Sequence, residues 1–78
     1  MNDKRRGRLG VAVGYIEMAK NVVKEVRDEE ETAFYNLPEN LQCSDKGCDM
    51  EDKVTDMDDV IDSLDDIISS INDITFKV

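Results

Sequence analysis

A wide apolar stripe along the second half of the chain, backed by a ridge of aspartates, restricts the fold more than any other feature. Apolar residues recur at Met50, Val54, Met57, Ile61, Leu64, Ile68 and Ile71. Their spacing alternates four and three, the step that keeps side chains on one face of a helix. Val60, Ile67 and Ile74 run beside this track at sevenfold spacing. A stripe this broad packs against more than one neighbour. The opposite face carries Asp58, Asp59, Asp62, Asp65, Asp66 and Asp73. The pattern predicts a helix over about 44–75 with a strongly negative outer surface.

The first half carries a matching signal. Leu9, Ala12, Ile16, Ala19, Val23, Val26, Glu30, Ala33 and Leu37 step by three and four without a break. Val13, Tyr15, Val22 and Phe34 widen that stripe. This predicts a helix over about 3–35. Gly7, Gly10 and Gly14 each weaken it by roughly 1 kcal/mol relative to alanine, so the first turns are expected to fray.

Residues 36–43 interrupt the pattern. Pro38 lacks a backbone donor and pushes Leu37 out of the helical region, while Leu37 and Leu41 are placed to plug the end of a core. Ser44 reads as the N-cap of the second helix, with Asp45 facing its positive end. Cys43 and Cys48 fall at the positions of a hydrophobic staple. Asp49 is a competing cap one turn on, and Gly47 marks either a close backbone approach or a tolerated glycine.

Seventy-eight residues make one domain, residues 1–78, in a size range where a single core is marginal without help. The expected fold is all-α: a two-helix antiparallel hairpin. Two helices cannot bury two such broad stripes between themselves. A second copy covers the remainder most simply, giving a homodimeric four-helix bundle. The expected contact residues are Leu9, Ile16, Val23, Val26, Met57, Ile61, Leu64, Ile68 and Ile71.

Charge narrows the choice of partner. The chain holds 19 acidic and 10 basic residues, a net charge of −9. The balance is +4 over residues 1–27 and −13 over residues 28–78. Direct nucleic-acid binding is disfavoured, because phosphates would be repelled by most of the surface. A protein with a basic surface is the matching partner. Arg5, Arg6 and Arg8 have a structural use, beside the end of the second helix near Asp66 and Asp73. No stretch approaches the roughly 18 apolar residues of a membrane span, and the basic start leads into a segment too polar for a secretory signal. These features point to the cytoplasm, where Cys43 and Cys48 stay reduced.

The sharpest candidate site is the acidic ridge of Asp58, Asp59, Asp62, Asp65 and Asp66. Short carboxylates in rows can imitate phosphates and occupy a basic groove. The plainer reading is a solvated face that keeps the assembly soluble. No cofactor or metal is expected. Two cysteines and no histidine fall short of a zinc site unless two chains share four thiolates. The aspartates lack the spacing of a calcium loop. No catalytic signature appears, so the chain is read as a non-enzyme. Magnesium-dependent nucleotide pyrophosphohydrolases place a Glu-Glu-x-x-Glu run inside a helical bundle. Here Glu30-Glu31 is followed by Phe34, and the ridge faces away from the seam.

The run Asn36-Leu37-Pro38-Glu39-Asn40-Leu41-Gln42, then Ser44, Gly47, Met50 and Glu51, resembles small acidic helical proteins of phages and prophages of Gram-positive bacteria. Those proteins similarly open on a Lys/Arg cluster, matched here by Lys4, Arg5, Arg6 and Arg8, and end in an Asp/Ile-rich helix. Cys43 and Cys48 depart from that pattern. The resemblance implies a hairpin, a phage origin and action inside a bacterial host cell. Phage proteins of this size often inhibit host machinery stoichiometrically, defence systems included. The expected function is therefore inhibition of a host protein through the aspartate ridge. The alternative is a structural or adaptor bundle with no inhibitory role.

Overall fold

A computed structural model of the chain describes residues 1–76. Three helices follow in order: α1 over Asp3–Tyr35, α2 over Glu39–Gln42 and α3 over Asp45–Thr75. There is no strand among the described residues. The long helices α1 and α3 pack side by side and run in opposite directions. Lys20 meets Asp65 while Arg27 meets Asp58, so moving seven residues up one helix moves seven down the other. The result is a rod of 59 × 15 × 14 Å. Its radius of gyration is 17.7 Å, against about 11.5 Å for a globular chain of this length.

The seam on α3 is the stripe read from the sequence. Met50, Val54, Met57, Ile61, Leu64 and Ile71 are half-buried, and Ile68 is buried. The seam on α1 differs from the expected one. It runs through Arg6, Leu9, Val13, Ile16, Lys20, Val23, Arg27, Glu30, Phe34 and Leu37, all buried or half-buried. Ala19, Val26 and Ala33 lie outside it and are exposed. The cause is electrostatic. Lys20 and Arg27 lay their aliphatic stems along the seam and reach carboxylates across it, which turns the alanine track outward.

Most of the residues expected at a dimer contact lie on the hairpin's own seam. Leu9, Ile16, Val23, Met57, Ile61, Leu64, Ile68 and Ile71 line the hairpin's own seam, whereas Val26 is 46% exposed. Phe34, at 8% exposure, and Ile68, at 9%, are the most buried of the described large apolar residues, and neither is fully enclosed, so the core is thin.

Both long helices are capped. The Asn2 side chain accepts from the Arg5 N–H at 2.9 Å, which ties down the first turn of α1 despite its glycines. Ser44 caps α3 by accepting from the Gly47 N–H at 3.3 Å, while its hydroxyl donates to the Leu41 carbonyl. Ser44 rather than Asp49 is thus the cap. Pro38 leads into α2, a single turn that the sequence pattern does not announce. The Gln42 amide donates to the Leu37 carbonyl at 2.9 Å, satisfying an acceptor just beyond the end of α1. Cys43 and Cys48 are both free and exposed, so no buried staple forms.

Gly47 is the tight point of this corner. A β-carbon there would lie 2.1 Å from the Gln42 carbonyl oxygen and 2.7 Å from that of Leu41. Both obstacles are backbone and cannot swing aside. Gly7, Gly10 and Gly14 have nothing within 4 Å of a β-carbon. Opposite outcomes follow from one substitution. Gly47→Ala is expected to lower stability by about 1–3 kcal/mol, the cost of overpacking. Gly10→Ala and Gly14→Ala should each raise it by up to about 1 kcal/mol. Thermal melts of the three variants check both signs.

Candidate interaction surface

The two sides of the hairpin have different chemistry. One is ionic. Lys20 Nζ donates to Asp65 Oδ1 at 2.7 Å, and Arg27 Nε donates to Asp58 Oδ1 at 2.8 Å. Arg27 also reaches Glu31 at 2.9 Å and Asp28 at 3.1 Å, so one guanidinium serves three carboxylates. The Asp58 hydrogen bond, followed by that to Asp28, raises the Arg27 pKa and keeps the group charged at any working pH.

The hydrogen bond to Asp65 likewise raises the pKa of Lys20 above its ordinary value. The stabilisation linked to this shift is complete below the unfolded lysine pKa of about 10.4 and fades as pH climbs through the higher folded value. Thermal melts above about pH 10.4 should show a loss that Lys20→Met lacks.

Lys20 and Arg27 were missed from sequence because neither is apolar. A signal was present, however. The pairs 20/65 and 27/58 have the same index sum, as expected for opposite charges facing each other across an antiparallel hairpin.

These pairs divide the proposed ridge. Asp58 and Asp65 sit on the flank of α3 nearest α1 and are engaged within the chain. Asp59, Asp62 and Asp66 are exposed and form no ion pair among the described residues. Asp52, Asp59, Asp66 and Asp73 share one heptad position on the side of α3 away from α1, all exposed. Successive members are about 10 Å apart along the axis. The carboxylates open to a partner thus form one edge of the rod. The basic start is not tied to this edge. Arg6 pairs with Asp3 at 3.0 Å, and no ion pair joins Arg5, Arg6 or Arg8 to Asp66 or Asp73 among the described residues.

The other side of the hairpin is apolar and open. Tyr15, Val22 and Val26 of α1 are 46–68% exposed, as are Val60, Ile67 and Ile74 of α3 at 46–58%. Each residue turns a helix by 100°. Ala19 and Val26, one residue before Lys20 and Arg27, therefore flank the seam opposite the ion pairs. Val60 and Ile67, two residues after Asp58 and Asp65, flank it on that same side.

A hollow of about 180 Å³ near the corner is lined by Glu31, Phe34, Tyr35, Glu51, Val54 and Thr55. Among the described residues no three Cys, Asp or Glu side chains are grouped so as to hold a metal ion. No helix among them is long and apolar enough to cross a membrane. No protein-family model matches this chain, and neither a curated protein nor a solved structure shows significant similarity to it.

Proposed function

We propose that the chain is a phage-derived acidic protein that binds a basic surface on a host protein and blocks it, acting as a homodimeric four-helix bundle in the host cytoplasm. The observation that carries this reading is the edge of α3. Asp59, Asp62 and Asp66 project from α3, are exposed and form no ion pair among the described residues. An array of this kind attracts lysine- and arginine-rich grooves over long range and suits those that ordinarily hold phosphates. A nucleic-acid-processing or defence factor has such a groove.

The test is capture of host proteins on immobilised chain. The bound protein should be released by about 0.5 M salt, where the screening length is only a few ångströms. It should also be displaced by added DNA. A captured protein indifferent to both salt and DNA would refute the charge-mimicry reading.

A second reading, an assembly or adaptor module without inhibitory action, draws on the open apolar side. It predicts that function survives loss of the ridge charges and disappears with the apolar side. The two readings thus place the essential residues on different faces of one rod.

A further inference from the structure

The chain exposes 5828 Å². A folded monomer of 8.9 kDa is expected to expose about 4,800 Å². The excess, about 1,000 Å² per chain, is close to the roughly 800 Å² that each partner contributes to a stable interface. The open apolar side, built on Tyr15, Ala19, Val22, Val26, Val60 and Ile67, is where such an area is available.

The charges at the two ends of this side indicate what covers it, and how. Arg5 and Arg8 lie at the end where α1 begins, and Glu29 and Asp56 lie toward the corner. Arg8 and Glu29 are exposed and form no ion pair among the described residues. The Lys20–Asp65 and Arg27–Asp58 register sets Ile67 level with Ala19, Asp56 level with Glu29, and Ile74 near Ala12. The apolar stretch is therefore centred near Ala19 and Ile67, with Arg8 eleven residues from Ala19 on one side and Glu29 ten on the other.

We propose that this face binds a second copy of the chain with the two corners at opposite ends of the dimer, about a twofold axis through Ala19 and Ile67. This rests on the self-association in the function proposed above and adds its geometry. The axis lies across the rods, so α1 stacks on the partner's α1 and α3 on the partner's α3. Tyr15 meets Val22, Val26 meets Ala12, Val60 meets Ile74, and Ile67 meets its own copy. Arg8 meets Glu29 twice. The other symmetric stacking, with both corners at one end, sets Glu29 against Asp56 and leaves the arginines of both copies together. In the proposed arrangement the two rows of Asp59, Asp66 and Asp73 come to lie along the same edge of the bundle. A basic partner then meets one doubled acidic strip.

The experiment uses the full chain carrying Cys43→Ser and Cys48→Ser. Sedimentation should give twice 8.9 kDa. Adding Ile67→Cys should allow a covalent dimer to form on mild oxidation, since position 67 meets itself only when α3 stacks on α3. Arg8→Glu and Glu29→Arg, each made alone, should weaken dimerisation at least roughly tenfold through like-charge contacts. Mixing the two variants should restore it, because the mixed dimer pairs opposite charges at both ends. A folded monomer at high concentration would overturn both the dimer and its geometry. A dimer by mass that neither cross-links through position 67 nor responds to the charge exchange would overturn the geometry alone. The function proposed above would then still have its assembly.

Discussion

Ile68→Asp is expected to abolish the helical signal of this chain at room temperature rather than to yield a folded monomer. Ile68 is 9% exposed and, with Phe34, is one of the two most buried large apolar residues among those described. Truncating such a residue to alanine already costs about 2–5 kcal/mol, and a carboxylate in the same place adds the cost of burying a charge without a partner. The whole stability of a 78-residue domain is only about 4–12 kcal/mol. A thin core puts this chain toward the lower end. Circular dichroism should show a coil at concentrations where the parent chain is helical. A helical variant with a reduced assembly mass would mean that Ile68 contacts another chain and that the seam described above is wrong.

Replacing Asp59, Asp62 and Asp66 together by Asn should move binding and stability in opposite directions. Each lost charge-assisted contact with a basic partner is worth about 1 kcal/mol or more at a partly desolvated interface, so three should weaken capture by roughly 100-fold. The fold should gain. Like charges three and four residues apart cost a helix about 0.2–0.5 kcal/mol per pair. The substitution removes such pairs between 59 and 62 and between 62 and 66, along with those made by 62 with Asp58 and Asp65. A rise of a few degrees in melting temperature is the expected companion of lost capture. Undiminished capture by the more stable variant would show that the ridge is only a solvated face. Asp58 and Asp65 are left unchanged in this test because neutralising them would also break the pairs with Arg27 and Lys20.

The seam of α3 was legible from sequence because every seam position from Met50 to Ile71 is apolar, so periodicity and packing coincide. The seam of α1 was not. Its true track passes through Lys20, Arg27 and Glu30, while the neighbouring track offers Ala12, Ala19, Val26 and Ala33. Apolar periodicity selects the second, but the long basic side chains select the first by reaching across to acids on the partner helix. That competition involves residues far apart in the chain, so no local window contains it. The Ser44 cap was readable because its rule is local. The single turn of α2 and the Gln42 amide bonded to Leu37 were not, since both exist only once the chain has turned back on itself. The acidic ridge was visible as a row, but its division into engaged and open carboxylates required the register of the hairpin.

The heptad repeat of α3 leaves the pairing of the two helices without a unique solution. Sliding α3 by seven residues along α1 would bring Lys20 to Asp58 and Arg27 to Glu51, and would again set apolar positions against apolar positions. Neither the salt bridges nor the stripe can therefore count residues. The corner does. With Gly47 held against the Gln42 carbonyl and Ser44 bridging Leu41 to the first turn of α3, α3 has one fixed starting point. The corner acts as the zero mark of a sliding scale, and a residue inserted there shifts every pairing along the 59 Å rod.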